Sequence, residues 1–505
     1  METVLRHIER RREVLGKHPF FEWVVSNETP LGDRLTFLPM LSNFSMGFRD
    51  VNKWVLRYPQ AGNVLEEGIN LHSFEDETHS RLFLDDWRRL GLDERLGWRA
   101  SDTLWWLFLA EANEVARGHG IRFLSLAAAD EGDPLLRFAH SEVIEACGAV
   151  FFGYVAPIAS QLTGTTGIDY PYLGPYHLAR ETGHMDCEEV FESVLLDDRL
   201  RDRAMELADA MFDVFSEMFD TFMRFAQRYV VSGAVPLPAF TPPTEVASAS
   251  GARYVVDTGG PIHPSQVPLQ RLLGERKERT ARHPFYLWLR DRLDLSPLQA
   301  MRRFIPLWAM DIMGYRDLNT YAMRYDRPAN ALEGAVNSWV DDLQTHSALF
   351  LSDWRELGLD QLLGWTASDT LEFCFLDPQM DIHRRNMAGF THLAAAHTDP
   401  VLRLWLMHAL ESNGDAFFEH STKVAGDIEA DTGLRLDYLT GRHELAHMPK
   451  HPAEAQSTPV TFKDQPLDPQ RCEIVSGMIE ASFDAIDEHL TLALDVALSN
   501  KFRIP

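Results

Sequence analysis

The stretch LFLDDWRRLGLDERLGWRASDTL, Leu82 to Leu104, returns as LFLSDWRELGLDQLLGWTASDTL, Leu349 to Leu371. A match of this length and spacing is the mark of a duplicated domain. Working outward, HPFFEWV at His18 answers HPFYLWL at His283, and MGFRDVN at Met46 answers MGYRDLN at Met313. Beyond the core match, DPLLR at Asp133 answers DPVLR at Asp399, so the offset stays near 266 residues throughout. Between the copies, Ser232 to Pro268 is rich in Pro, Gly, Ser and Thr, which reads as a linker or surface strap. The repeat thus gives a first domain over 1–231, a linker over 232–268 and a second domain over 269–505.

Within each copy the apolar residues recur at helical spacing. RAMELADAMFDVFSEMFDTFMRFAQRYV, from Arg203, and CEIVSGMIEASFDAIDEHLTLALDVAL, from Cys472, each read as one long amphipathic helix. No segment alternates convincingly and no Asn-Gly or Asp-Gly hairpin occurs, so both copies are expected to be all-α bundles. Bundles place metal and cofactor sites between inward-facing side chains of adjacent helices.

The chain of 505 residues carries a formal net charge of −27. Such acidity repels nucleic acid and anionic membranes, and neither is expected as a partner. Four scattered cysteines without a C-x-x-C pair argue against a disulfide framework or a thiolate zinc site. The N-terminal stretch is charged and lacks an apolar secretion segment, and no run of eighteen or more apolar residues is present, so a cytoplasmic protein is expected.

Three segments of the first copy concentrate groups that bind metals. NLHSFEDETHSRLF places His72, Glu75, Asp76 and His79 at i, i+3, i+4 and i+7, one stripe of a continuous helix. YLGPYHLARETGHMDCEE carries His177, Glu181 and His184 as H-x-x-x-E-x-x-H, with Gly174-Pro175 as a helix start. Between them, RFAHSEVIEACGAVFFGY offers Glu142 and Glu145. The repeat chooses Glu145, which matches Glu411, whereas Glu142 matches His408. Imidazoles mixed with carboxylates on facing helices suit iron or manganese better than structural zinc. Stacked ion-binding groups also resist burial without a positive partner.

This pattern resembles the haem-oxygenase-like diiron oxidases and oxygenases. Members are bundles of about seven helices with a Glu-x6-His pair, a separate glutamate and a His-x3-Asp/Glu-x2-His motif. In this sequence the matching positions are 72 with His79, then Glu145, then His177, Glu181 and His184. Position 72 departs from the family, being histidine where a glutamate is usual; His72, Glu75 or Asp76 completes the set. The resemblance implies a pair of Fe(II) ions in each active domain, O2 as co-substrate and an external electron donor. It implies a small amino-acid-like or fatty-acid-like substrate, converted by N-oxygenation or by oxidative C–C cleavage in specialised biosynthesis. It also implies a homodimer or a pseudo-dimer within one chain. A thiaminase-like enzyme without metal on the same bundle, and a non-catalytic metal-binding or scaffold protein, are the alternatives.

The second copy has lost part of the set. Trp339 stands for His72, Asp342 for Glu75, Leu343 for Asp76 and Thr440 for His177, while His346, Glu411, Glu444 and His447 persist. These four could still hold an ion, but a degenerate scaffold domain is the favoured expectation. The same segment contains His443-Glu444-Leu445-Ala446-His447, a match to the H-E-x-x-H of zinc proteases. Pro449 follows closely and no downstream third ligand fits, so the match is read as His443 preceding an inherited glutamate.

Overall fold

The computed structural model describes residues 1–128, 132–181, 191, 194–232, 254–291, 295–442 and 458–504. It divides into two compact units: Met1–Pro238 with Thr366–Asp377, and Ala239–Trp365 with Pro378–Pro505. The described residues are overwhelmingly helical, as the periodicity predicts.

Unit one opens with α1 (Glu2–Leu15), α2 (Pro19–Val25), α3 (Leu38–Asp50), α4 (Val64–Asp76) and α5 (His79–Arg89). Three short or medium helices follow, α6 (Leu92–Leu96), α7 (Ala100–Phe108) and α8 (Glu114–Ala128). Then come α9 (Pro134–Thr166), α10 (Pro175–Glu181) and α11 (Asp198–Ser232). Helix α9 is framed by its sequence. Asp133 accepts the Leu135 N–H, Pro134 sits at the first turn, and Gly167 ends the helix at φ 74°. Phe20, Phe37, Phe151, Phe219 and Phe222 are fully or almost fully buried, and their rings stack or meet edge-on at 5.2–6.3 Å. Helix α9 is long and apolar enough to cross a membrane, which the reading of the sequence did not anticipate; half of its most apolar window is buried inside the protein.

Unit two runs through α12 (Val267–Thr280), α13 (Pro284–Asp291), α14 (Pro297–Arg302), α15 (Ala309–Asp317) and α16 (Ala331–Leu343). It continues with α17 (His346–Glu356) and α18 (Leu359–Leu363); after α19 (Ala367–Leu376) come α20 (Asp381–Ala396), α21 (Pro400–Thr432) and α22 (Pro469–Ser499). The internal contacts repeat those of unit one. The Trp87 indole donates to Asp93 at 2.9 Å, and the Trp354 indole donates to Asp360 at 2.9 Å. Arg11 reaches Asp209 and Asp213, while Arg276 reaches Glu480 and Asp484. These matching contacts align the sequence of α22 with that of α11, which sequence identity alone leaves vague. Helices α3 and α15 both run on into a π-helical turn, Val51–Leu56 and Leu318–Met323.

Two features differ from the expectation. Helix α19 belongs to the second repeat by sequence, yet it packs with unit one. There the Ser368 N–H and hydroxyl donate to Asp93 at 2.9 and 2.6 Å, and Arg88 pairs with Glu372. The second difference is a short parallel pairing of β1 (Tyr254–Val256) with β2 (Thr458–Val460). No strand was expected, because three residues are too few for alternation to register. Lys463 pins the pairing by donating to the Thr258 carbonyl and the Gln270 side chain at 2.7 and 2.6 Å.

Candidate metal centre

The site in unit one is assembled from α4, α5, α9 and α10. Helix α4 starts at Asn63, whose side chain accepts the Leu65 and Glu66 N–H groups, and buries Gly68, Ile69, His72, Ser73 and Asp76. The helix ends at Asp76, and α5 begins three residues later at His79. The continuous stripe expected from Asn70 to Phe83 is therefore broken at Glu77 and Thr78. Asp76 is 4 % exposed and faces the interior, whereas Glu75 is exposed to solvent. Of the two carboxylates that could complete the first-helix set, Asp76 is the one in the cluster.

His72 Nε2 lies 3.3 Å from Asp76 Oδ2 and 3.5 Å from Glu145 Oε1 on α9. These three side chains bring one ligand atom each to within 4.8 Å of one another. Asp76 Oδ1 is 4.0 Å from His79 Nε2. The His79 ring stacks on Phe48 and meets the His177 ring edge-on, centroids 4.3 Å apart. His177 is 1 % exposed, and its Nδ1 contacts the Tyr172 carbonyl at 2.8 Å. That contact sets Nδ1 as the donor and makes Nε2 the atom a metal would take.

The segment carrying His177 is anchored by a buried acid. Asp86 accepts the Leu173 N–H at 2.8 Å. Burial pushes the Asp86 carboxyl up to about 7, against the backbone hydrogen bonds from Leu173 and Tyr172 that lower it. Unit two repeats the device with Asp353, which accepts the Asp437, Tyr438 and Leu439 N–H groups.

Glu181 is the last described residue of α10, one turn beyond His177, and His184 lies outside the described residues. The donor set in place is His72, Asp76, His79, Glu145 and His177. Its chemistry fits a divalent metal ion: imidazole nitrogens and carboxylate oxygens, whose negative charge a cation would offset. A cavity of about 50 Å³ adjoins it, with His79 and His177 in a wall otherwise built mainly from Phe44, Phe48, Phe151 and Phe152.

In unit two, His346 and Glu411 both line a larger cavity of about 150 Å³. Trp339 is half-buried, and burial with the neighbouring Asp341 charge pushes the Asp342 carboxyl up to about 6. His443, Glu444 and His447 lie outside the described residues. A different cluster in this unit, Asp311 with His383 and His489, was not visible in the sequence.

No protein-family model matches the chain, and no curated protein sequence matches it either. Fold and site together define an all-α protein built of two compact units, the first holding a buried histidine–carboxylate cluster able to bind metal.

Proposed function

We propose that unit one is an O2-dependent non-haem diiron oxygenase or oxidase of the haem-oxygenase-like kind. The observation that carries this reading is the buried group of His72, Asp76 and Glu145, with His79 4.0 Å from Asp76 and its ring against that of His177. His79 and His177 would be terminal nitrogen ligands, and Glu145 and Asp76 would supply the anionic oxygens, with Glu181 and His184 extending the set. A bound pair of Fe(II) ions supplies the electrons and Lewis acidity that O2 activation requires. Around them, the Tyr172 carbonyl holds the His177 tautomer, and phenylalanines line the cavity beside His79 and His177. The substrate is a small amino-acid-like or fatty-acid-like metabolite, modified by N-oxygenation or C–C cleavage, with an external electron donor closing the cycle. Unit two is a degenerate copy that serves as a scaffold domain.

The experiment is anaerobic loading of metal-free protein with Fe(II), counting iron per chain in the wild type and in the His79→Ala/His177→Ala double variant. The difference between the two is expected to be two ions, and mixing the loaded wild type with O2 should give a transient visible absorption absent from the variant. Equal iron in both proteins would sink the diiron reading.

A further inference from the structure

Unit two carries a cluster that unit one lacks. Asp311 on α15, His383 on α20 and His489 on α22 bring one ligand atom each to within 4.8 Å of one another. The His383 Nδ1 contacts Asp311 Oδ2 directly, and His489 Nδ1 lies 3.3 Å from the same oxygen. The two imidazoles stack with centroids 4.1 Å apart. His383 is wholly buried, His489 is 7 % exposed, and Asp311 and His489 face the 150 Å³ cavity.

The fold does not need these residues. By the repeat, Asp311 corresponds to Phe44, and the correspondence of Asn386–Glu488 with His119–Glu217 sets His383 on Ala116 and His489 on Met218. The same bundle is therefore built in unit one with three apolar side chains at these places. Their replacement is costly. His383 Nε2 is buried without a hydrogen-bond partner, and a buried unsatisfied donor or acceptor is a net loss to stability. A polar group kept in a core at such a cost calls for a role beyond packing.

We propose that Asp311, His383 and His489 form a mononuclear site for a divalent first-row transition metal, open toward the cavity of unit two. Two imidazoles and one carboxylate hold one side of such an ion and leave its remaining positions for water or a small ligand. The cavity lies on that open side. On its outer side His489 is held by Asn386, whose side-chain Nδ2 lies 3.1 Å from His489 Nε2.

This site is independent of the reading of unit one and is tested apart from it. Full-length protein carrying His79→Ala and His177→Ala is stripped of metal and titrated with Co(II), whose visible bands report coordination. One Co(II) per chain is expected, released by Asp311→Asn or His489→Gln and retained after His346→Ala. The triple change Asp311→Phe, His383→Ala and His489→Met restores the residues of unit one; it should stay folded by circular dichroism and bind no cobalt at this site. No Co(II) uptake in the starting background, or uptake that survives His489→Gln and the triple change, would overturn the proposal. So would loss of binding on His346→Ala, because it would move the ion to the other wall of the cavity.

Discussion

His72 Nε2 lies 3.5 Å from Glu145 Oε1, so a histidine near the end of α4 and a glutamate in α9 meet inside unit one. The same nitrogen is 3.3 Å from Asp76 Oδ2. Two carboxylates on one imidazole is an arrangement that a cation would stabilise and that apolar packing would not produce. Replacing His72 with leucine should weaken Fe(II) binding about tenfold or more, whereas His72→Glu, which keeps a metal-binding side chain at this place, should retain it. Titration of Fe(II) against a competing chelator reads the affinity. Leucine at 72 with undiminished affinity would remove His72 from the ligand set.

Asp86 gives a pH signature. Its carboxyl is raised to about 7 by burial, so between pH 4 and 7 the folded chain holds a proton that the unfolded chain has lost. The stability contributed by that proton is full below about pH 4 and disappears as pH rises through about 7, on the order of 4 kcal/mol in total. Asp86→Asn removes the titration. The stability of wild type relative to this variant should fall steadily from pH 4 to above 7, measured as the difference in denaturant midpoints. A flat difference across that range would show that Asp86 does not titrate there.

Much of this was legible in the sequence, and the reasons for the rest are physical. The repeat exposed the duplication because identical stretches survive at a constant offset, and the 3.6-residue periodicity exposed the helices. The break at Glu77 and Thr78 was hidden, since neither residue is a helix breaker and the chain simply turns between Asp76 and His79. Asp76, one turn after His72 on the buried face of α4, faces the cluster, while Glu75 faces solvent. Asp311, His383 and His489 lie on three helices far apart in the chain, with no spacing that a motif could register. Only the packing of α15, α20 and α22 brings them together. Helix α19 was assigned with its repeat because sequence similarity records ancestry, whereas the Asp93–Ser368 hydrogen bonds record where it packs.

The strap of unit two rests on a glycine. A Cβ added to Gly334 on α16 would fall inside van der Waals contact of the Tyr254 ring in β1. Gly334→Ala should therefore cost roughly 1–3 kcal/mol through overpacking. Combining it with Tyr254→Ala should recover part of that loss, giving a coupling energy in a double-mutant cycle of thermal or chemical denaturation. Simple additivity of the two changes would mean that the strap does not press on α16 in solution.

The cavity beside His79 and His177 yields the last prediction. Its 50 Å³ has room for a diatomic gas or a few waters, and its wall is largely aromatic. Cys147 lines it, is 1 % exposed, and has its thiol pushed well up by burial, so the sulfur is inert at neutral pH. Cys147→Met lengthens that side chain into the space without adding a charge or a new metal ligand of comparable strength. If the cavity is where O2 reaches the metals, this change should leave Fe(II) uptake unaltered while slowing the reaction of the loaded protein with O2. Stopped-flow absorbance after mixing with O2 measures the rate, and iron analysis of the same sample measures uptake. An unchanged rate would place the gas path elsewhere. A parallel loss of iron would instead show that the substitution disturbs His79 or His177, and Cys147→Ser, which leaves the cavity open, should then restore both readings if added bulk is the cause.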